Sequence, residues 1–204
     1  MKRIFDAAVS ALLLVLFSPV LAVVAVLVKR ELGSPVLFRQ ERTGRNGVNF
    51  RILKFRSMTN GTDAYGNLLP DQQRLTRFGL FLRKSSLDEF PQLFSVLKGD
   101  MSLVGPRPLL PRYVPYYTER ERLRHTVRPG MTGLAQVSGR NALSWEERLE
   151  LDVQYVENHS FRLDLKILLL TVKKVIGRDG TVAVPSSVML DLDEERRDVS
   201  GVPY

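Results

Sequence analysis

Two adjacent carboxylates, Asp88 and Glu89, stand between a basic pair, Arg83-Lys84, and an apolar-periodic run from Phe90 to Leu97. Ser86 lies three residues before Glu89, the spacing of a capping box. Alternatively Asp88 is itself the N-cap, with Pro91 in the first turn, where its missing N–H costs least. Both arrangements put the carboxylates at the positive end of a helix dipole, beside free backbone N–H groups. A phosphate suits such an end, and a divalent cation could bridge it to the carboxylates. Taken alone, the pair also reads as plain helix capping. A second chemical feature is Gly105-Pro106-Arg107-Pro108. Two prolines fix φ on either side of one arginine, so a rigid loop would present one guanidinium to a phosphate at little entropic cost. The alternative there is an ordinary turn with a surface arginine. Val127 to Leu134 and Ser138-Gly139-Arg140-Asn141 form a glycine-rich, basic connection whose backbone could approach a pyrophosphate closely.

The elements that must position these groups follow from patterning. Val36 to Gln40 and Phe50 to Arg56 read as two strands joined by Thr43-Gly44-Arg45-Asn46-Gly47. In the second strand Phe50, Ile52 and Lys54 are expected on one face. Arg74 to Lys84 has helical spacing, with Leu75, Phe78 and Leu82 on one side. Gly99-Asp100 is a stop after the Asp-Glu helix. Pro111 to Arg124 carries Tyr113, Tyr116, Tyr117 and four arginines, a composition suited to an amphipathic helix at a membrane–water interface. Ser144-x-x-Glu147 is a second capping box, opening a helix to about Asn158. Asp164 opens an apolar helix to about Gly177. The tail over 178–204 has no clear period and is expected to be mobile.

The 204 residues suffice for one full core. With no cysteine and two distant histidines, His125 and His159, disulfides and zinc sites are excluded as organising features. Thirty Lys+Arg against 22 Asp+Glu give a net charge of +8, which favours an anionic partner. Eight of those bases fall within residues 29–60, whereas 179–204 is acidic. Ile4 to Val28 is almost wholly apolar, and a straight helix of that length, about 37 Å, could cross a bilayer core of roughly 30 Å. Lys2-Arg3 and Lys29-Arg30 flank it, however, and the positive-inside rule asks for both ends in the cytoplasm. Pro19 sits near its middle, where the Ser18 hydroxyl can satisfy a freed carbonyl. These features predict a re-entrant helix broken at Ser18-Pro19 over a simple span; no A-x-A-like cleavage site precedes Lys29.

Several separated motifs together resemble the bacterial sugar transferases, specifically the small monotopic phosphoglycosyl transferases that begin lipid-linked glycan assembly. They are the Ser18-Pro19 break, Lys54-Phe55-Arg56-Ser57-Met58, Ser86 to Leu93, Leu97 to Pro108, and Arg128-Pro129-Gly130-Met131-Thr132-Gly133. In length the chain looks like the form that initiates bacterial N-linked glycans. The resemblance implies a mostly helical α+β fold: a re-entrant membrane helix (1–32), a small cytoplasmic α/β catalytic domain (33–177) with interfacial amphipathic helices, and a tail (178–204). It implies transfer of a phosphosugar from a UDP-sugar to undecaprenyl phosphate with release of UMP, at the cytoplasmic face of the bacterial inner membrane, using Mg²⁺. Asp88 matches the family's nucleophile and would carry the phosphosugar covalently; Glu89 matches its metal-binding partner, with Asp88 beside it on the metal. Lys54, Arg83, Arg107 and Asp164 fall at further active-site positions, the arginines on phosphate oxygens, and Arg140 joins them on the glycine-rich connection. Direct transfer in a ternary complex is the alternative route. A membrane-attached nucleic-acid or lipid binder is the alternative of another class, but Trp145 is the one tryptophan and no RNP-like aromatic strand is present. No nucleic-acid partner is therefore expected; membrane phospholipid is, and interfacial helices such as 111–124 could pair two copies.

Overall fold

The computed structural model describes residues 1–139, 143–177 and 190–197. Helix α1 (Lys2–Leu32) is followed by strands β1 (Leu37–Thr43) and β2 (Asn49–Phe55), helices α2 (Asp71–Arg74), α3 (Arg77–Ser85) and α4 (Leu93–Lys98), and strand β3 (Ser102–Val104). Then come α5 (Glu119–Arg122), β4 (Gly130–Thr132), α6 (Leu134–Ser138), α7 (Trp145–Asn158), α8 (Phe161–Gly177) and α9 (Leu192–Glu195). The fold is mostly helical α+β. β1 and β2 pair antiparallel from Leu37↔Phe55 to Thr43↔Asn49, across a turn in which Asn46 and Gly47 both take positive φ. β3 and β4 pair parallel, Ser102 opposite Gly130 and Val104 opposite Thr132.

Helix α1 is long and apolar enough to cross a membrane by length and composition, which makes membrane association plausible. It is one continuous helix through Pro19 rather than helix-break-helix. Proline removes one donor, and the Ser18 hydroxyl donates to the orphaned Val15 carbonyl at 2.8 Å, so the helical hydrogen-bonding pattern survives. The domain grips α1 at both ends. At its start the Arg3 guanidinium donates to the Val96 and Leu97 carbonyls at 2.5 and 2.6 Å, and buried Asp6 accepts from the Ser102 hydroxyl at 2.7 Å. At its end Val24, Val28 and Leu32 pack with Phe55 and Leu82, and the buried Arg56 guanidinium caps the Leu32 carbonyl at 2.7 Å. Between them Leu12, Val15, Leu16, Val23 and Val26 stay exposed.

The main core joins Ile52, Leu93, Val96, Met101, Leu103, Val104, Tyr155 and Ile167. A second core collects Leu109, Tyr113, Tyr117, Trp145, Leu149 and Leu192. That second core corrects two expectations. Residues 111–124 do not form one amphipathic helix: two 3₁₀ turns flank the four-residue α5, and Tyr113 and Tyr117 are buried. Pro111 and Pro115 deprive the segment of amide donors, and a nearby apolar core takes the rings inward. Within the expected mobile tail, residues 190–197 pack against the domain. Leu192 has no exposed surface, the Trp145 indole donates to the Leu190 carbonyl at 2.9 Å, and Arg196 pairs with Glu121 at 2.7 Å. The second capping box, Ser144 with Glu147, is formed in full at the start of α7.

Candidate functional site

The Asp-Glu stretch begins where α3 ends. Ser86 takes a left-handed conformation, φ 56°, closing α3 through a bond from its own amide to the Arg83 carbonyl. Its side chain makes no cap bond, so the expected capping box does not form; left-handed backbone points the hydroxyl away from the following turn. Leu87–Gln92 is a 3₁₀ turn leading directly into α4. This tight entry puts both carboxylates in the first turn of a helical segment, between β2 on one side and α1 on the other. Phe90, the next residue, meets Phe17 of α1 with ring centroids 5.0 Å apart.

The two carboxylates are unequal. Glu89 accepts from the Lys54 ammonium at 2.6 Å and from the Arg107 guanidinium at 2.7 Å, both on Oε1. Burial alone would raise its pKa, but the Arg107 and Lys54 charges outweigh burial and hold it well below the usual carboxylate range. Asp88 is 8% exposed and makes no hydrogen bond or ion pair among the described residues. Its carboxyl is pushed up to about 6, first by burial and then by the neighbouring Glu89 charge, against the pull of Lys54, Arg83 and Arg107. One carboxylate is clamped and the other is left over.

The bases come from separate elements. Lys54 stands on β2, on the Phe50–Ile52 face as the alternation predicts, and burial lowers its pKa despite Glu89. Arg83, in the last turn of α3, donates from Nε to the Ser57 hydroxyl at 2.9 Å, and burial lowers its pKa too. Arg107 sits in the double-proline loop, where three main-chain carbonyls are each engaged: Pro106 by the Gly130 amide at 2.9 Å, Arg107 by the Arg124 guanidinium at 2.6 Å, and Leu109 by the Thr43 amide at 3.0 Å. The loop is as rigid as its sequence suggests. Arg42, on β1, was not singled out by pattern. It is near enough to Arg107 and Glu89 for their charges to act on it, and burial followed by Arg107 pushes it down to about 10. No local motif marks Arg42; only the Thr43–Leu109 bond, across 66 residues, brings it there.

Other expectations land elsewhere. Asp164 is buried in α8, where its two oxygens accept from Lys2 at 2.5 Å and from the Tyr155 hydroxyl at 2.7 Å. It shares no hydrogen bond or ion pair with Asp88, Glu89, Lys54 or Arg107. Arg140 lies outside the described residues. Gly130 and Gly133 of the basic connection and Gly105 of the facing loop serve packing: a Cβ on any of them would stand 2.1–2.4 Å from backbone of the opposite segment, so the two segments touch where a phosphate approach was expected.

Four cations, Lys54, Arg83, Arg107 and Arg42, thus surround two carboxylates. That surplus suits a bound phosphate or diphosphate. No group of three or more His, Cys, Asp or Glu ligands exists among the described residues, so there is no all-protein metal cage. Mg²⁺ does not need one: it is commonly held by one or two carboxylates plus substrate phosphates and water. Among the described residues Glu89 Oε2 and both Asp88 oxygens carry no hydrogen bond, and this donor set fits.

A sequence model described as bacterial sugar transferase matches residues 1–178. The uncharacterized sugar transferase EpsL of Bacillus subtilis is 54% identical over 180 residues, covering 88% of this chain and 89% of that protein. The UDP-glucose:undecaprenyl-phosphate glucose-1-phosphate transferase of Klebsiella pneumoniae is 44% identical over 85% of this chain, and the undecaprenyl-phosphate galactose phosphotransferase of Salmonella typhimurium is 40% identical over 88%. Of those two longer proteins the match covers 39% and 41%.

Proposed function

The chain belongs to the bacterial sugar transferase family, and on that premise we propose that it moves a hexose-1-phosphate from a UDP-sugar to undecaprenyl phosphate, releasing UMP. One observation carries the reading. A buried carboxylate without a hydrogen-bond partner among the described residues, Asp88, adjoins a carboxylate fixed by two cations, Glu89, inside a surplus of positive charge. A purely structural pair would be expected to tie both carboxylates to the surrounding cations, and here only Glu89 is tied.

In the first half-reaction an Asp88 oxygen attacks the β-phosphorus of the donor. A bond from Asp88 to phosphorus forms, the bond from that phosphorus to the bridging oxygen breaks, and the electron pair leaves with UMP. Attack requires Asp88 ionised, and the nearby Arg83, Lys54 and Arg107 charges favour that state. Arg107, Arg83 and Arg42 stabilise charge developing on the phosphoryl oxygens. Glu89 and Asp88 are the residues that would hold Mg²⁺, which when bound would neutralise charge on the diphosphate. In the second half-reaction an oxygen of undecaprenyl phosphate attacks the same phosphorus and Asp88 is released as carboxylate. Splitting the transfer lets a water-soluble donor and a lipid acceptor use one site in turn.

The membrane arrangement supports this order. One domain grips both ends of α1 and leaves an apolar flank between them. A helix crossing the bilayer would carry one end, with its basic pair, away from that domain. We therefore read α1 as lying in one leaflet, with phospholipid against its free flank and the Asp88 site facing the cytoplasm at headgroup depth.

The experiment is a rapid quench of purified protein with UDP-glucose or UDP-galactose and Mg²⁺, followed by peptide mass spectrometry. A hexose-phosphate adduct is expected on the peptide bearing Asp88, and Asp88→Asn should lower UMP release by at least about 10³-fold. Product accumulating with no adduct would leave direct attack by the lipid phosphate as the route. No UMP release from any UDP-sugar would end the transferase reading.

A further inference from the structure

Arg107 can stand on Glu89 only if the main chain beneath it is held, and its own loop is poor in donors: Pro106 and Pro108 have no N–H. The carbonyls of Pro106 and Leu109 are taken by main-chain amides of Gly130 and Thr43. The Arg107 carbonyl is held differently. It accepts from Nη2 of Arg124 at 2.6 Å, a side chain that is 2% exposed and 17 residues further along.

Arg124 is itself tightly placed. Its Nη2 and Nε donate to Oδ2 of Asp152, on α7, at 2.7 and 3.2 Å, and its Nη1 reaches the Tyr117 hydroxyl at 3.4 Å. Asp152 is 2% exposed and its second oxygen, Oδ1, has no hydrogen-bond partner among the described residues. A buried ion pair of this kind is weak evidence for stability, because removing two charges from water costs about as much as their attraction returns. Its direction is informative instead. The planar fork sends one edge to Asp152 while Nη2 also faces the Arg107 carbonyl, a double task that a lysine ammonium cannot reproduce in the same geometry.

We propose that Arg124, oriented by Asp152, is a positioning residue for the transfer: it fixes the backbone of Arg107 so that the Arg107 guanidinium meets Glu89 and the substrate phosphates in register. The proposal rests on the transferase reading for its kinetic part and on the fold alone for its structural part. Arg124 touches no reacting group. It acts through Arg107, and its effect must vanish where Arg107 is absent.

That dependence is the test, run on the full-length protein in detergent micelles. Arg124→Lys and Asp152→Asn are each made alone and combined with Arg107→Ala. Amide hydrogen exchange at Gly130 and Thr43, whose N–H groups donate to the Pro106 and Leu109 carbonyls on either side of Arg107, should speed up at least about tenfold in both single variants, while peptides of α8 keep the wild-type rate. UMP release from UDP-glucose or UDP-galactose should fall about 10- to 100-fold in kcat/KM in the single variants, and by less than about threefold when they are added to Arg107→Ala. Equal losses in the two backgrounds, or unchanged exchange at Gly130 and Thr43, would overturn the proposal and leave Arg124–Asp152 as an ordinary structural pair. Should either variant fail to fold, Tyr117→Phe removes one contact to Arg124 and reads the same loop more gently, with faster exchange at Gly130 and Thr43 expected and wild-type exchange counting against. If the wild type releases no UMP from any UDP-sugar, the transferase reading fails, yet the exchange measurements still decide whether the pair holds the loop.

Discussion

Asp88 and Asp164 are both buried aspartates, 8% and 4% exposed, and both were expected at the site from sequence resemblance. Their surroundings differ completely. Asp164 has an ammonium on one oxygen and a tyrosine hydroxyl on the other, and the same Lys2 and Tyr155 also donate to the Val104 carbonyl at 3.1 Å each. Asp88 has no such partner among the described residues, and its carboxyl is pushed up to about 6. A satisfied buried carboxylate joins pieces of chain, here the start of α1 to α7, α8 and β3. One with no protein partner is left to water or a ligand, and burial with a neighbouring carboxylate raises its pKa, a setting found where a reaction needs the group.

The sharpest way to break this comparison is Asp164→Ala. It strands the Tyr155 hydroxyl and leaves the Lys2 ammonium without its partner, so about 3 kcal/mol of stability should be lost, the scale of breaking a buried ion pair, discounted for the partial exposure of Lys2. Thermal unfolding in detergent would show it, with UMP release per folded molecule little changed. A variant that unfolds like the wild type but has lost its turnover would instead move Asp164 into the chemistry, as the resemblance implied.

Asp88 should behave in the opposite sense, and pH exposes it. The folded carboxyl sits at about 6 against the usual 3.8, so the folded protein keeps a proton that the unfolded chain releases. The associated stability is fully present below about pH 4 and is lost as pH rises through about 6. With divalent cations chelated, wild-type folding free energy should therefore drop by about 2 kcal/mol between pH 4 and pH 7.5 relative to Asp88→Asn, whose side chain does not titrate. Glu89, held low by Arg107 and Lys54 against burial, contributes the other way, its stabilisation being lost progressively as pH falls below the usual 4.5, a trend present in both proteins and removed by comparing them. Parallel pH curves for the two proteins would mean that Asp88 is not the strained member of the pair.

The site was legible in sequence where one short stretch carries the chemistry. Asp88, Glu89 and the stiff loop around Arg107 stand out locally, and the alternation of β2 puts Lys54 on the Ile52 face. Long-range pairing was not legible. Arg42 and Arg124 look like any other arginines of a +8 chain until Thr43 meets Leu109 and Asp152 meets Arg124. Tyr113 and Tyr117, four residues apart, have the spacing of a surface helix. Only the arrival of Leu192, 75 residues beyond Tyr117, shows that they line a core. Ser86 has the right residue type for a cap, but its left-handed backbone, set by the sharp exit from α3, defeats the motif. Since α9 is short and its surroundings can partly collapse, Leu192→Ala should cost about 2 kcal/mol, at the low end for a fully buried leucine. A denaturant midpoint equal to wild type would mean that residues 190–197 add nothing to that core.

The smallest effect concerns α1, whose start is the joint that Asp164 makes. Ser18→Ala removes the hydroxyl bonded to the Val15 carbonyl at an exposed position, so about 1 kcal/mol or less is at stake, and topology should not change. The chain has no native cysteine, so single cysteines introduced ahead of Ile4 and after Arg30 report each end separately. Both should resist an impermeant thiol reagent in intact cells, in wild type and in Ser18→Ala alike. Labelling at the first site alone would place Lys2 across the bilayer from the domain. In that position it could not also reach Asp164 at 2.5 Å, so the joint and the single-leaflet helix would fall together.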